Sequence, residues 1–586
     1  MTEPATDPLE LLRAAVVEAA EQLAGEAAAG AAITLERPRR AQFGDYSTNA
    51  ALLLAAGMGL APRELAQQLG ERLRERLGAS LQRFEVAGPG FLNVFVADAW
   101  LIAALARALA AGERFGAGGA RDPQRVLVEF VSANPTGPMH VGHARNAAYG
   151  DALARMLALQ GHHVKREFYV NDAGSQVRKL GESIRALARG EDVPEDGYKG
   201  DYVGELAAEL PDAAGGDAAQ VGRQAVAVMV QRIRSSLAAF GVGDFDEWFY
   251  ESALHEGDPS PVAHTLAILE QQGHTYRSDG ALWLRTTDFG DDKDRVLVRS
   301  SGEHTYFASD IAYHQDKRER GFQRQIDVWG ADHHGYVQRM KAAYEALGGD
   351  PRELELLIMQ LVHLVSSGER AQMSKRAGEF VTLEELLAEI GVDAARWYLL
   401  ARSHDTTVDL DLDLAREQSA ENPVYYVQYA HARIASVLAK AGAERVRAAE
   451  AEVAALAGVA GVAGVADPGA GAPARAGDGP AAGAPAGAPT LHPAERALVQ
   501  ALLALPGELA EAAQRRAPHR VAAHALSLAQ TFTAFYRDCQ VVGVAEEGAD
   551  GGGAAVESLR IALCVCSARA ISRCLGLLGV SAPERM

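Results

Sequence analysis

Cysteine is scarce in this sequence, with four residues among 586, all of them in the C-terminal region. They are Cys539, Cys564, Cys566 and Cys574, and no pair has the Cys-x-x-Cys spacing. This distribution argues against a zinc site and predicts thiols buried in helices. So few cysteines in so long a chain are typical of a reducing compartment.

Two further features are lacking. The N-terminus has neither the basic nor the apolar segment of a signal peptide, and we recognise no apolar run of membrane-spanning length. Positive charge is in deficit, with 57 Lys and Arg against 77 Asp and Glu. A nucleic-acid partner is therefore expected to bind at local patches, for which Arg37, Arg39 and Arg40 are one candidate. We expect a cytoplasmic monomer without membrane association.

One stretch combines a strand, a turn and a helix start. An apolar run at 126–131 precedes a Pro/Gly-rich turn at 134–138, and His140-Val141-Gly142-His143 opens a helical pattern that continues to Leu159. Free N–H groups at a helix N-terminus bind phosphate, imidazoles can donate to phosphate oxygens, and glycine lets a flat base approach. The alternative is a tight turn with two surface histidines.

Two segments resemble known catalytic motifs. Residues 133–143, ANPTGPMHVGH, resemble the HIGH signature of class I aminoacyl-tRNA synthetases in its arginyl-tRNA synthetase form. Residues 372–376 resemble the KMSKS loop but depart from it at Gln372 and Arg376, so what replaces the first lysine is open. The resemblance implies ATP binding by His140, Gly142, His143, Met373, Ser374 and Lys375. It also implies catalytic roles for His140, His143 and Lys375.

Alternating strands and helices predict a multidomain α/β protein with a doubly wound, Rossmann-like parallel sheet in the catalytic domain, residues 119–415. Strands are predicted at 164–170, 295–299 and 326–329, and an apolar run covers 354–365. Residues from about 175 to 295 are mostly helical and polar, and they match the place of the connective insertion of class I synthetases. Ligands are expected at the carboxyl ends of the strands.

The flanking regions predict two further domains. Residues 1–118 form an α+β unit whose GDYSTN and GPGFLN strings are similar to the appended domain that contacts tRNA, with a plain accessory domain as the alternative. Residues 416–586 resemble an all-α anticodon-binding domain, interrupted by a flexible Ala/Gly/Pro-rich insertion at about 441–490. Tyr425 and Tyr429 share a helical face, which favours core packing over base stacking.

The substrate pocket can be argued from charge. A guanidinium group is a permanent cation with a planar set of donors, so its pocket needs carboxylates. Tyr306 and Asp310 lie four residues apart at a predicted helix start, hence on one face. By resemblance, Glu129 and Asn134 hold the α-ammonium group, Tyr306 and Asp310 hold the guanidinium group, and His334 lines the same pocket. The alternative for any single carboxylate is a solvated or salt-bridged structural role.

The resemblance implies ATP-dependent activation of L-arginine to arginyl-adenylate. The arginyl group is then transferred to the 3′-terminal adenosine of tRNA(Arg), with release of AMP and pyrophosphate. Mg²⁺ would arrive with ATP, without a dedicated protein site. Bound tRNA would be needed for activation.

Three rival functions remain. A small-molecule adenylyltransferase would have no reason to carry the helical C-terminal domain. An inactive tRNA-binding regulator should have lost His140, His143 and Lys375, which are all present. A class I synthetase for another amino acid is the nearest alternative.

Overall fold

The computed structural model describes residues 7–28, 30–38, 40–370, 381–459, 489–544 and 552–586. Its N-terminal region is an α+β unit with an antiparallel sheet of order β1-β2-β4-β3. The elements are α1 (Pro8–Ala24), β1 (Leu35–Glu36), β2 (Tyr46–Thr48), α2 (Ala50–Met58), α3 (Pro62–Leu77), β3 (Leu81–Ala87), β4 (Phe91–Val96) and α4 (Asp98–Ala111).

Local signals in the N-terminal region predict its elements well. The Asp7 side chain accepts the Leu9 N–H at 2.9 Å and caps α1, as the Asp-Pro pair predicts. Strands β3 and β4 flank the Gly-Pro-Gly turn. There Gly90 has φ +145° and a Cβ would lie 2.7 Å from Pro62, so only glycine fits without strain. Of the candidate basic patch, Arg37 and Arg40 are exposed, while Arg39 lies outside the described residues.

The central region contains the parallel sheet. Its elements are β5 (Arg125–Glu129), α5 (Val141–Leu159), β6 (His163–Val170), α6 (Gly174–Ala188), α7 (Asp201–Glu209), α8 (Ala218–Ala239), β7 (Glu247–Tyr250), α9 (Pro261–Gln271), β8 (Thr275–Ser278), β9 (Ala281–Leu284), β10 (Arg295–Val298), α10 (Tyr306–Glu319), β11 (Arg324–Gly330), α11 (Val337–Ala346), β12 (Leu354–Met359), β13 (Val362–Ser366), β14 (Glu369–Arg370), α12 (Leu383–Leu400), β15 (Val408–Asp411) and α13 (Leu412–Arg416). Helix α12 is interrupted at Gly391 (φ 75°, ψ 167°).

Five strands form the doubly wound sheet in the order β12-β11-β5-β6-β7, and all neighbours are parallel. The chain proceeds from β5 through β6 to β7, then returns to place β11 on the other side of β5. The strand order therefore reverses between β5 and β11. In open α/β sheets, this switch point is where a crevice forms at the carboxyl ends of the strands.

The expectation of a mostly helical segment at 175–295 is wrong in its second half. Strand β7 pairs with β6 and completes the parallel sheet, while β8, β9 and β10 form a separate antiparallel sheet. The strand predicted at 295–299 thus exists as β10, but it does not belong to the parallel sheet. A four-residue apolar pattern indicates a strand without indicating its partner or direction.

The apolar run at 354–365 also divides between two sheets. Strand β12 lies at the edge of the parallel sheet, whereas β13 pairs antiparallel with β14 and parallel with β15. Strand β14 immediately precedes residues 371–380, which are outside the described part of the chain. The KMSKS-like loop predicted at 372–376 falls there.

The C-terminal region is helical. Its elements are α14 (Pro423–Ala441), α15 (Ala443–Val459), α16 (Pro493–Leu503), α17 (Leu505–Gln514), α18 (Pro518–Asp538) and α19 (Gly552–Leu578). The expectation of a flexible insertion from 441 is wrong over α15, which packs against α4 and α19 with Ala449 and Val453 buried. Alanine is the strongest helix former, which explains why this Ala-rich stretch is a helix.

Within the described residues, the helix Gly553–Leu578 is long and apolar enough to cross a membrane by length and composition, a feature that the sequence reading missed. Of its most apolar window, 72% is buried inside the protein, so these side chains belong to the helical core. Cys564, Cys566 and Cys574 lie buried in this helix, and Cys539 is buried directly after α18, which confirms the expected burial of all four thiols.

An aromatic surface on α14 and α18 corrects one expectation. Tyr425 and Tyr429 stack at a ring-centroid distance of 6.1 Å, but Tyr429 is 41% exposed and does not pack in the core. The Arg433 guanidinium carbon lies 4.6 Å from the Tyr429 ring centroid and 5.3 Å from that of Tyr536, which is 39% exposed. Helical spacing alone does not say which side of the helix is covered.

Buried charges connect the helical region to the parallel sheet. Arg396 on α12 and Asp151 on α5 form an ion pair of 2.5 Å whose side chains are both fully buried. The same arginine donates to the Leu578 carbonyl at 2.7 Å, at the end of α19. Helix α5 is therefore anchored to the C-terminal helices.

Candidate active site

The turn after β5 has a constrained backbone. Val131 and Ser132 have φ values of 69° and 39°, a region that β-branched and other non-glycine residues rarely adopt. Asn146 on α5 accepts the Val131 N–H at 2.6 Å and donates to the Val328 carbonyl of β11 at 2.7 Å. These bonds hold the turn at the switch point between β5 and β11. Backbone strain of this kind concentrates at functional sites.

Two histidines cap the first turn of α5 through their own ring nitrogens. Nδ1 of His140 accepts the Gly142 N–H at 3.1 Å, and Nδ1 of His143 accepts the His140 N–H at 3.3 Å. A neutral imidazole whose Nδ1 accepts a hydrogen bond carries its proton on Nε2. Each ring therefore has Nε2–H as its donor at the positive end of the helix dipole.

The environment keeps both rings uncharged. Burial lowers the pKa of His140. Burial, together with the nearby His140, lowers the pKa of His143 to about 3. Near neutral pH, these residues can therefore meet an anion as neutral hydrogen-bond donors rather than as cations.

The segment that begins at residue 381 lies directly against this turn. Val141 donates to the Val381 carbonyl at 3.1 Å, and Leu383 donates to the Met139 carbonyl at 2.9 Å. Thr382 then caps α12. Residue 381, six positions after Lys375, is thus hydrogen-bonded to the first residue of α5. Met373, Ser374 and Lys375 themselves lie outside the described residues.

A group of acidic and hydroxyl-bearing residues lies around the first turn of α10, at the same end of the sheet. Helix α10 starts at Tyr306, as predicted, so Tyr306 and Asp310 share a face. Asp310 accepts the Tyr336 hydroxyl at 2.5 Å, and Tyr306 is 59% exposed. His334 is exposed on the turn that carries Tyr336. Within the described residues, the hydroxyl that donates to the Asp310 carboxylate is that of Tyr336 rather than a ring nitrogen of His334.

Glu251 belongs to this group of residues and was missed in the sequence. It follows β7, and its pKa is raised to about 7 by burial and by the nearby Asp310 carboxylate. Burial also raises the pKa of Asp310. Two such carboxylates favour a bound cation, because a positive charge between them would remove their mutual repulsion. The aromatic residues of β7 before Glu251 are the only signal that the sequence offers for it, and the expected helical insertion at 175–295 includes them.

Glu129 and Asn134 flank the other side of the turn. Glu129 is 5% exposed, and its two oxygens accept the Lys317 ammonium at 2.6 Å and the Ser132 hydroxyl at 2.8 Å. Carboxylate oxygens have two lone pairs each, so acceptor capacity remains. Asn134 is exposed on the loop, two residues before Thr136, whose carbonyl accepts the Tyr202 hydroxyl at 2.8 Å.

Comparison with family models shows which class of protein has this fold. The catalytic-domain model for tRNA synthetases class I (R) matches residues 104–191 and 226–436. The chain is therefore a class I aminoacyl-tRNA synthetase. The model of the arginyl tRNA synthetase N terminal domain matches residues 10–96, and that of the DALR anticodon binding domain matches 427–586. The chain belongs to the arginyl-tRNA synthetase family.

Whole-chain relatives agree with this assignment. Arginine–tRNA ligase of Geobacillus thermodenitrificans is 42% identical over 94% of each chain. That of Desulfosudis oleivorans is 43% identical over 98% of this chain and 99% of its own length. The structure of Thermus thermophilus arginyl-tRNA synthetase superposes with a TM-score of 0.72 at 24% identity, covering 98% of this chain and 99% of that one, and supports the fold.

Proposed function

We propose that this protein joins L-arginine to the 3′-terminal adenosine of tRNA(Arg) at the expense of ATP. The observation that carries the proposal is the pair of neutral histidines that caps the N-terminus of α5, at the end of the sheet where the carboxylates of Asp310 and Glu251 also lie. The carboxylates suit a guanidinium group, and the helix N-terminus suits phosphate. The carboxylates and the helix N-terminus therefore match arginine and ATP, the two substrates of the activation step.

In the activation step, a carboxylate oxygen of arginine attacks the α-phosphorus of ATP. The new P–O bond forms as the bond to the bridging oxygen breaks, and pyrophosphate leaves with the electron pair. His140 and His143 donate Nε2–H to phosphate oxygens, and Gly142 leaves room for the nucleotide. Met373, Ser374 and Lys375 complete the ATP site in our proposal, with Lys375 stabilising the leaving charge. Mg²⁺ would be brought by ATP and would supply neutralisation of phosphate charge.

The amino acid is held at both ends. Glu129 and Asn134 bind the α-ammonium group, while Tyr306 and Asp310 bind the guanidinium group, with His334 lining the pocket. We add Glu251 as a second guanidinium carboxylate, since its pKa near 7 leaves it able to ionise when a cation binds. In the transfer step, the 2′-oxygen of the terminal adenosine attacks the arginyl carbonyl carbon. The new ester bond forms as the bond from that carbon to the phosphate oxygen breaks, AMP leaves with the electron pair, and the hydroxyl proton is released to water.

The tRNA would bind through local surfaces, because the net charge of −20 opposes binding over the whole protein. Tyr429, Arg433 and Tyr536 form one such surface, with exposed rings and a guanidinium group on which bases can stack. We propose that residues 1–118, 119–415 and 416–586 act as the tRNA-contacting, catalytic and anticodon-binding domains. We also propose that the enzyme acts as a cytoplasmic monomer.

The test is ATP–pyrophosphate exchange with each amino acid, with and without bulk tRNA. We expect exchange with arginine only, and only when tRNA is present, because the site is completed when RNA binds. Exchange with another amino acid would identify a different synthetase. Exchange without tRNA would contradict the proposed dependence, and absence of any exchange alongside tRNA binding would indicate an inactive regulator.

A further inference from the structure

A buried lysine lies behind the proposed amino-acid pocket. Lys317 on α10 has no solvent exposure, and its ammonium group donates to Glu129 at 2.6 Å and to Asp327 on β11 at 2.8 Å. It also lies 4.1 Å from the centre of the Tyr313 ring. A lysine is almost never fully buried unless it is paired, so this position has a specific requirement for its charge.

The partners of Lys317 are themselves held in place. Asp327 is fully buried and binds Nε2 of His314 at 2.8 Å through its second oxygen. Nδ1 of His314 bonds the Asp310 carbonyl at 2.8 Å. A continuous chain of contacts therefore runs from Glu129 through Lys317, Asp327 and His314 to the backbone of Asp310.

Helix α10 carries three members of this chain, Asp310, His314 and Lys317. Asp310 and Lys317 are seven residues apart, which corresponds to about 10.5 Å along a helix axis. A helix is rigid over two turns, so Lys317 holds Glu129 at a set separation from the carboxylate of Asp310. The groups that bind the α-ammonium end and the guanidinium end of arginine would then both be positioned by helix α10.

We propose that Lys317 is a positioning residue that holds the Glu129 carboxylate where the α-ammonium group of arginine binds. This inference rests on the proposed function, which assigns that contact to Glu129. Lys317 acts through Glu129 and touches neither substrate. Its ion pair orients one carboxylate oxygen, the Ser132 hydroxyl orients the other at 2.8 Å, and the remaining lone pairs are left for the substrate.

The charge of Lys317 has a second effect. Burial raises the pKa of Glu129, which favours the neutral acid, and the nearby Lys317 opposes this. A neutral Glu129 would lose the attraction that an ammonium group needs. The lysine thus favours the ionised carboxylate and also orients it.

The experiment compares two ligands that differ only in the α-amino group. L-Arginine is assayed as substrate, and deamino-arginine, which lacks that group, as a competitive inhibitor of tRNA arginylation. The variants are Lys317→Met and the double variant Lys317→Met with Asp327→Asn. The double variant removes one charge of each sign, so it remains testable if the single variant leaves too much buried negative charge to fold.

We expect the KM for arginine to rise at least about tenfold, while the inhibition constant of deamino-arginine changes by less than about twofold. The KM for ATP should also stay within about twofold. Equal weakening of both ligands would show a general structural role and overturn the inference, as would an unchanged KM for arginine.

A matched control is the buried pair of Arg396 and Asp151, which is equally inaccessible but lies at the domain junction. Arg396→Met with Asp151→Asn should lower thermal stability. It should not change the KM for arginine relative to the inhibition constant of deamino-arginine. Failure of the wild-type enzyme to arginylate tRNA would refute the proposed function itself. A wild-type enzyme that arginylates tRNA, combined with a variant that does not separate the ligands, would refute only the role of Lys317.

Discussion

The imidazole rings of His140 and His143 stack at a centroid distance of 3.7 Å, with their planes 24° apart. Each ring also accepts a backbone N–H of the same helical turn through Nδ1. Two imidazolium ions at this separation would repel one another and could not accept those bonds. One pair of side chains therefore both caps the helix and keeps neutral the two Nε2–H groups that we propose as phosphate donors.

The two nitrogens of His143 can be tested separately. Asparagine places an acceptor near the position of Nδ1, and glutamine places a donor near the position of Nε2. We expect His143→Asn to keep the cap and lower kcat for arginine activation by about 10²-fold. We expect His143→Gln to retain more activity but to lose about 0.5–2 kcal/mol of stability with the cap. Activity and thermal melts of both variants check this, and the reverse order would exchange the roles of the nitrogens.

Asp310→Asn should weaken arginine binding far more than ATP binding. Removing the charge of a buried carboxylate that pairs with a cation costs on the order of 2–5 kcal/mol. The KM values of both substrates measure the difference. Asp316→Asn is the matched control, because Asp316 lies on the same helix but pairs with Arg320 at 2.7 Å. If the KM for arginine does not change in Asp310→Asn, the residue lies outside the pocket.

The raised pKa of Glu251 predicts that kcat/KM for arginine depends on pH. Its pKa is raised to about 7, so it is neutral below that pH and ionised above it. A cationic side chain binds the ionised form, so kcat/KM for arginine should rise between about pH 6 and pH 8. Asp310→Asn removes one cause of the shift, and the midpoint should move to lower pH. A flat profile in the wild type would exclude Glu251 from this role.

Ionisation of Glu251 is expected to favour arginine binding, but it lowers the free energy of unfolding. A carboxyl group whose pKa rises from 4.5 to about 7 on folding favours the native state below pH 4.5. That contribution is lost as pH rises through about 7. Glu251→Gln should therefore flatten the fall in unfolding free energy between these pH values, as denaturant titrations would show.

The Ala/Gly/Pro-rich composition of residues 461–488 predicts that the protein tolerates shortening of this segment. Small side chains and helix-breaking residues cannot build a core, and the cost of closing a loop changes slowly with its length. Replacing residues 461–488 by a short Gly/Ser link should change stability by only about 1 kcal/mol and leave arginylation close to wild type. A large loss of tRNA affinity at unchanged thermal stability would show that the segment contacts RNA.

Local features were predictable because their causes lie within one or two turns of chain. The Asp7 cap, the helix start at Tyr306 and the strand–turn–helix arrangement at His140 depend on neighbouring residues and on the dihedral preferences of proline and glycine. The parallel sheet followed from the alternation of strands and helices. The pattern did not reveal which strands pair, so β7 and β10 were assigned to the wrong units.

The sequence by itself determined the motif at 133–143 and the fold class, and it predicted carboxylates for the arginine site. Only the tertiary structure brought Glu251 to Asp310 and placed Lys317 against Glu129, 188 residues away in the chain. Side-chain periodicity encodes which face of an element is buried, but not what covers that face. Contacts across such separations depend on strand order and helix packing, which many weak interactions decide together.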